Sequence, residues 1–197
     1  MLVFYDALYS GNTWKVRLLL GQLAIPHQAV RLELFKGEAR SKDFRALNPF
    51  GRVPYVVDDG FGLAESNAIL LHLARGSRLL PDDARVQALI QQWMFYEQNQ
   101  VELNIGIPRL MKKLGQHDDL ARLDGYFRPR ATGALKLLER HLAVREWLVH
   151  DSYSVADIAL SAYLQLAPDA GHELGDFPAV SAWLQRIRTQ PGFIEIS

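Results

Sequence analysis

The chain has no cysteine among its 197 residues. That excludes a disulfide, a protein thiolate nucleophile and a cysteine metal ligand, so any thiol chemistry has to be carried by a ligand. Net charge is lacking too, since 22 Lys and Arg balance 22 Asp and Glu and no block of one sign stands out. Nucleic acid or an anionic membrane surface would find no electrostatic footprint. No apolar run approaches the ~20 residues needed to cross a bilayer, and no basic segment precedes the apolar start Leu2-Val3-Phe4-Tyr5. These absences predict a cytoplasmic protein with neither nucleic acid nor membrane as a partner. The six histidines are scattered without metal-ligand spacing, so no metal site is assigned. What is present, 49% hydrophobic and 22% charged residues, suits a folded chain of one or two domains.

The most informative stretch spans residues 52–66. Arg52-Val53-Pro54-Tyr55-Val56-Val57 reads as a strand, Asp58-Asp59-Gly60 as a turn and Phe61-Gly62-Leu63 as the hairpin partner. A proline at a strand start leaves the preceding residue outside the ladder, so the Val53 N–H and C=O are available to an extended ligand. Downstream, Ala64-Glu65-Ser66-Asn67 runs into the helical pattern Ala68-Ile69-Leu70-Leu71-His72-Leu73. Ser66 then stands at a helix N-terminus, where unpaired N–H groups favour a carboxylate, and Glu65 offers a counter-charge for an ammonium. A small peptide with a free amino acid head satisfies both ends. Alone, Glu65 and Ser66 read equally as an ordinary helix start.

Strand and helix patterns alternate before this stretch: a strand at 2–5, a helix at 12–23, a strand at 28–32, a polar loop at 36–41 and a short helical turn at 43–47. The order βαβαββα predicts an α/β domain whose first crossover joins two parallel strands. From Ala84 onward no strand pattern appears. Val86, Leu89, Ile90, Trp93, Met94 and Glu97 fall at helical spacing, 120–142 is a long amphipathic segment, and Ser154 begins a helix with Asp157 three residues on as a capping box. A last helix opens near Pro178 and stops before Pro191-Gly192. The expected division is a domain at 1–76, a linker at 77–84 and an all-helical domain at 85–197.

Together Asn48-Pro49, Val53-Pro54, Glu65-Ser66, the cap from Ser154 to Asp157 and the final Phe177-Pro178, Trp183 and Pro191 resemble the glutathione transferase family across nearly the whole chain. The resemblance implies a thioredoxin-like N-terminal domain, an all-α C-terminal domain and glutathione as co-substrate. It also implies a cis bond at Pro54, a backbone contact from Val53, a carboxylate held by Ser66 and an ammonium held by Glu65. Lys36 and Arg52 are the basic candidates for the glycine carboxylate of glutathione, with solvated surface charge as the plainer reading of Lys36.

Chemistry in such a site depends on residues 9–17. A free thiol has a pKa of about 8.5, and lowering it by two units takes about 2.7 kcal/mol of preferential thiolate stabilisation. A hydroxyl or amide donor beside a helix N-terminus supplies that much. Ser10, five residues before Lys15, stands where serine-type and cysteine-type relatives place their active residue, and Asn12 is the rival, because one bacterial class pairs a threonine with an asparagine at this spacing. Ser10 also reads as a turn residue and Asn12 as a helix cap. Tyr5 and Tyr9 are weaker rivals, and Arg17 reads as a domain-interface ion pair. The resemblance further implies a small hydrophobic electrophile, bound between the domains with Trp93, Tyr96, Asn99 and Leu103 as a wall, and a homodimer with Phe50 as an anchor. Aromatics at such helical spacing also read simply as core. A glutathione-dependent disulfide reductase or peroxidase, and a non-catalytic binding module, remain alternative readings.

Overall fold

Alternation along the first strand sets the architecture of the first unit. In β1 (Leu2–Asp6) the side chains of Leu2, Phe4 and Asp6 are buried on one side while Val3 and Tyr5 are half-buried on the other. Both sides therefore need a cover. The computed structural model describes residues 1–196. On one face Leu2 and Phe4 pack with Val56 of the sheet, with Val16 and Leu20 of α1 (Gly11–Gln22) and with Ile69 of α3 (Ser66–Leu73). On the other, Tyr5 and Tyr55 pack against Phe44 of the short α2 (Lys42–Leu47).

The sheet runs β2-β1-β3-β4, with β2 at His27–Arg31, β3 at Tyr55–Asp58 and β4 at Phe61–Ala64. β1 is parallel to β2 and antiparallel to β3, and β3 and β4 form a hairpin. Asp58 pairs with Phe61, so the connection is the two residues Asp59 and Gly60, both with positive φ (46° and 89°). Asp-Gly suits that turn because both positions lie in the left-handed region. The strand begins at Tyr55, three residues later than the sequence pattern indicates, because Pro54 has no N–H to give a ladder.

The second unit is helical among its described residues: α4 (Ala84–Tyr96), a π-helical stretch (Glu97–Gly106), α5 (Ile107–Lys113), α6 (His117–Leu142), α7 (Val155–Gln165) and α8 (Pro178–Arg188). Residues 155–164 of α7 are buried throughout, which makes α7 the core helix. Its start carries the capping box the sequence indicated: the Ser154 hydroxyl accepts from the Ala156 N–H, and Asp157 accepts from the Ser154 N–H. Asp157 also accepts from the Leu148 N–H and the Trp183 indole, and its burial pushes the carboxyl up to about 6 although these donors pull it down. Glu139 of α6 accepts from the Ala179 and Val180 N–H groups at the start of α8. No described helix is long and apolar enough to cross a membrane.

The chain divides after Leu80 into two compact units. Residues 190–196 belong to the first unit, not to the helices that precede them. The physical reason is local: the fully buried Trp14 donates its indole N–H to the Ile194 carbonyl at 2.8 Å, and Gly21 lets residues 192 and 194 lie directly on α1. The architecture is thus an α/β N-terminal part, as the βαβαββα order indicated, and it is thioredoxin-like and followed by an all-α part, as the resemblance implied.

Candidate functional site

Register alone gathers the candidate residues. Asp6 ends β1 beside Arg31 at the end of β2, Tyr5 pairs with Tyr55 at the start of β3, and Tyr55 pairs with Ala64 at the end of β4. The segments that leave β1 and β2, enter β3 and leave β4 therefore emerge at one edge of the sheet. Ser10 and Asn12, Lys36, Arg52 and Val53, and Glu65 and Ser66 all lie on those four segments.

Two helix N-termini meet there. Ser10 is the N-cap of α1: its backbone is extended and its hydroxyl accepts from the Thr13 N–H at 3.3 Å. The cap thus falls on Ser10, and Asn12 sits inside the first turn instead. Ser66 opens α3, is only 4% exposed, and donates its hydroxyl to the Asn12 Oδ1 at 3.0 Å. That bond fixes the Asn12 amide by its oxygen and directs its NH2 end away from Ser66. The first intrahelical bond of α3 runs from the Ile69 N–H to the Glu65 carbonyl, so the amides of 66–68 point out of the helix end. Positive partial charge from both helices converges on one place.

Glu65 holds φ at 70°, in the left-handed region, and makes no cap bond with its exposed side chain. Holding a residue with a Cβ there costs about 1–3 kcal/mol, and such outliers cluster at functional sites. Val53 precedes the ladder, which starts at Tyr55, and the Val53–Pro54 peptide is cis, as the resemblance implied. Its loop is built on the buried Asn48, whose side-chain amide donates to the Arg52 carbonyl at 2.7 Å and whose oxygen accepts from the Phe50 N–H at 3.2 Å. The side chains of Arg52 and Lys36 are exposed and make no hydrogen bond or ion pair with the described residues.

Thr13, Asp6 and Ala7, which the sequence did not single out, support this edge together with Arg17. Thr13 donates its hydroxyl to the Ala7 carbonyl at 2.7 Å, which ties α1 back to the end of β1. Arg17 pairs with the buried Asp6 at 2.7 and 2.9 Å and donates to the Ala7 carbonyl at 3.3 Å. The pair expected at a domain interface therefore lies within the first unit and braces residues 7–10. No local signal marks these partners, since Arg17 reads as one polar residue in an apolar helix. Tyr5 packs against Phe44 and Tyr55, whereas Tyr9 is half-exposed with φ at 65°. In the second unit Trp93 is core, edge-on to His141 at 4.7 Å, and Tyr96 lies beside it, its hydroxyl pushed up by burial. Asn99 and Leu103 are exposed.

Comparison with known proteins places this geometry. Residues 2–75 match the family model for the glutathione S-transferase N-terminal domain, and residues 103–191 match the model for the C-terminal domain. Among solved structures, a possible glutathione S-transferase from Rhodopseudomonas palustris superposes with a TM-score of 0.95 at 40% identity, covering 100% of this chain and 90% of that one. Ure2p in complex with glutathione superposes with a TM-score of 0.88 at 26% identity, covering 97% and 95% of the two chains. The Escherichia coli disulfide-bond oxidoreductase YfcG is 28% identical over 92% of this chain and 88% of its own. With both domain models matched in order and a 40% identical relative spanning the whole chain, the protein belongs to the glutathione S-transferase family.

Proposed function

We infer that this family member is a glutathione transferase that activates the glutathione thiol for attack on small hydrophobic electrophiles. The observation that carries the reading is the bond between Ser66 and Asn12, which brings the starts of α1 and α3 together at the edge where Val53 and Glu65 stand. Glutathione has a γ-linked glutamate with a free carboxylate and ammonium, a cysteinyl backbone and a terminal glycine carboxylate. In this reading the α3 amides and Ser66 hold the glutamyl carboxylate, Glu65 the ammonium and Val53 the cysteinyl backbone. Arg52 and Lys36 answer the glycine carboxylate. That leaves the sulfur at the start of α1, where the Ser10 hydroxyl or the Asn12 amide donates to it and the helix end favours the anion.

Residues 1–76 thus carry the glutathione site, and the helical domain contributes the electrophile side. Phe50, 66% exposed on the Asn48 loop, is our candidate anchor for a homodimer in a cytoplasmic, detoxifying enzyme. A second reading, glutathione-dependent disulfide reduction, is favoured by Asn12 and by the 28% identity to YfcG, a disulfide-bond oxidoreductase by name. In either case the reacting sulfur belongs to glutathione, since the chain has no cysteine.

Immobilised glutathione should retain the protein, and bound glutathione should titrate below about 8.5. Ser10→Ala and Asn12→Ala, compared for loss of that shift, identify the donor. An unshifted thiol in the parent would sink the transferase reading and leave a binding module. Turnover of a model electrophile set against a small disulfide separates the two enzymatic readings.

A further inference from the structure

Trp14 joins two structures that sequence keeps far apart. Its own N–H donates to the Ser10 carbonyl at 3.0 Å and so closes the first turn of α1. Its indole N–H donates to the Ile194 carbonyl at 2.8 Å, across a separation of 180 residues, and its ring stands edge-on to Phe193 at 6.1 Å. The ring is fully buried, whereas Ile194 is 38% exposed, so the outer layer of this contact is shallow.

The same segment touches α1 again further along. A Cβ at Gly21 would meet the Ile194 side chain at 3.1 Å and the Gly192 carbonyl at 3.2 Å. A Cβ at Gly192, where φ is 75°, would meet Gln22 and Gly21 backbone atoms at 3.0 Å. Two glycines thus allow backbone to lie on backbone where any side chain would hold them apart. Seven residues separate Gly21 from Trp14, about 10 Å along the helix, so residues 190–196 grip α1 at two points.

We propose that residues 190–196 form a strap that positions α1, and that Trp14 is the positioning residue through which the strap sets the first turn carrying Ser10 and Asn12. The proposal rests on the glutathione reading for its chemical consequence, though not for the mechanical one. Ser10 is bonded through its carbonyl to Trp14 and through its hydroxyl to Thr13, so displacing Trp14 moves the cap itself. A donor must keep its distance and angle to a sulfur to stabilise the thiolate, and small displacements cost much of that effect. The glutamyl clamp at Glu65 and Ser66 is built on α3 and depends less on the strap.

Two variants of the full chain test this. Trp14→Phe removes the indole N–H and keeps a ring; Gly21→Val levers the strap away from α1 about 16 Å from Ser10 and leaves Trp14 intact. Amide hydrogen exchange in the ligand-free protein should speed up about tenfold at the backbone amides of positions 13 and 14 in both variants, with Val56 in the sheet centre unchanged. The thiol of bound glutathione should titrate about one unit higher, which cuts the thiolate fraction at pH 7 about threefold for a parent thiol near 6.5. Retention on glutathione immobilised through its sulfur, which reads the clamp alone, should stay within twofold. Unchanged exchange at positions 13 and 14, or an equal rise at Val56, overturns the strap. Faster exchange with an unmoved thiol overturns its link to the chemistry. If the parent itself fails to shift the thiol, the glutathione reading falls, and the exchange measurements still decide the strap.

Discussion

Replacing Asp157 with alanine should cost about 3 kcal/mol of stability. The carboxylate is fully buried and serves four donors: its Oδ1 accepts from the Leu148 N–H at 3.1 Å and the Trp183 indole at 2.9 Å, and its Oδ2 from the Ser154 N–H at 2.9 Å and hydroxyl at 3.1 Å. Alanine strands three N–H groups where water does not reach, at about 1–3 kcal/mol each. Against that, removing the carboxylate recovers the cost of burying a charge. Lifting the carboxyl from 3.8 to about 6 corresponds to about 3 kcal/mol at neutral pH. The remainder, taken near the middle of the range, is the figure above. Urea unfolding followed by tryptophan fluorescence should show a midpoint about 1 M lower, for a slope of about 3 kcal/mol per M. The Trp183→Phe variant and the double variant complete a cycle, in which a coupling of at least about 1 kcal/mol is expected between groups in direct contact. A loss under about 1 kcal/mol, or simple additivity, would refute the view that this carboxylate ties α7 to α8 and to the chain at Leu148.

The same group predicts a pH effect of defined sign. Its folded pKa lies above the unfolded one, so the folded state binds the proton more tightly, and this contribution is present near pH 4 and lost as pH rises through about 6. Relative to Asp157→Asn, which does not titrate, the parent should lose about 2 kcal/mol between pH 4 and pH 6, read as the difference of urea-derived stabilities; a flat or opposite difference contradicts it. At the candidate site, Ser66→Ala should weaken glutathione binding about tenfold or more by calorimetry, the worth of one hydrogen bond to a charged group. Unaltered affinity would remove Ser66 from the clamp.

Local chemistry made much of this molecule legible. Asp59-Gly60 has the residues its turn requires, Pro54 announces where the ladder cannot run, and Ser154 with Asp157 marks a helix start by side-chain reach alone. What stayed hidden depends on contacts between distant residues. The bond from Ser66 to Asn12 spans 54 positions, and nothing near either residue encodes it. The π-helical stretch at Glu97–Gly106 was missed because its repeat departs from the 3.6-residue period by which helices are read. The return of residues 190–196 to the first unit was missed because a Pro-Gly stop says only that a helix ends. Arg17 was assigned the wrong setting for a related reason: a lone cation in an apolar helix shows that a partner exists, and only the fold shows that it is Asp6.

Glu65 carries a consequence for anyone who engineers this protein. Its positive φ strains any residue with a Cβ more than it strains glycine, and its exposed side chain makes no hydrogen bond or ion pair with the described residues to offset that. Directed evolution scored only on heat resistance would thus be drawn to glycine at position 65, a gain in robustness with no visible loss in folding. In our reading the same change erases the ammonium contact of the ligand. A thermostability screen blind to ligand would select, at this one position, a sturdier protein that no longer recognises what it was made to hold.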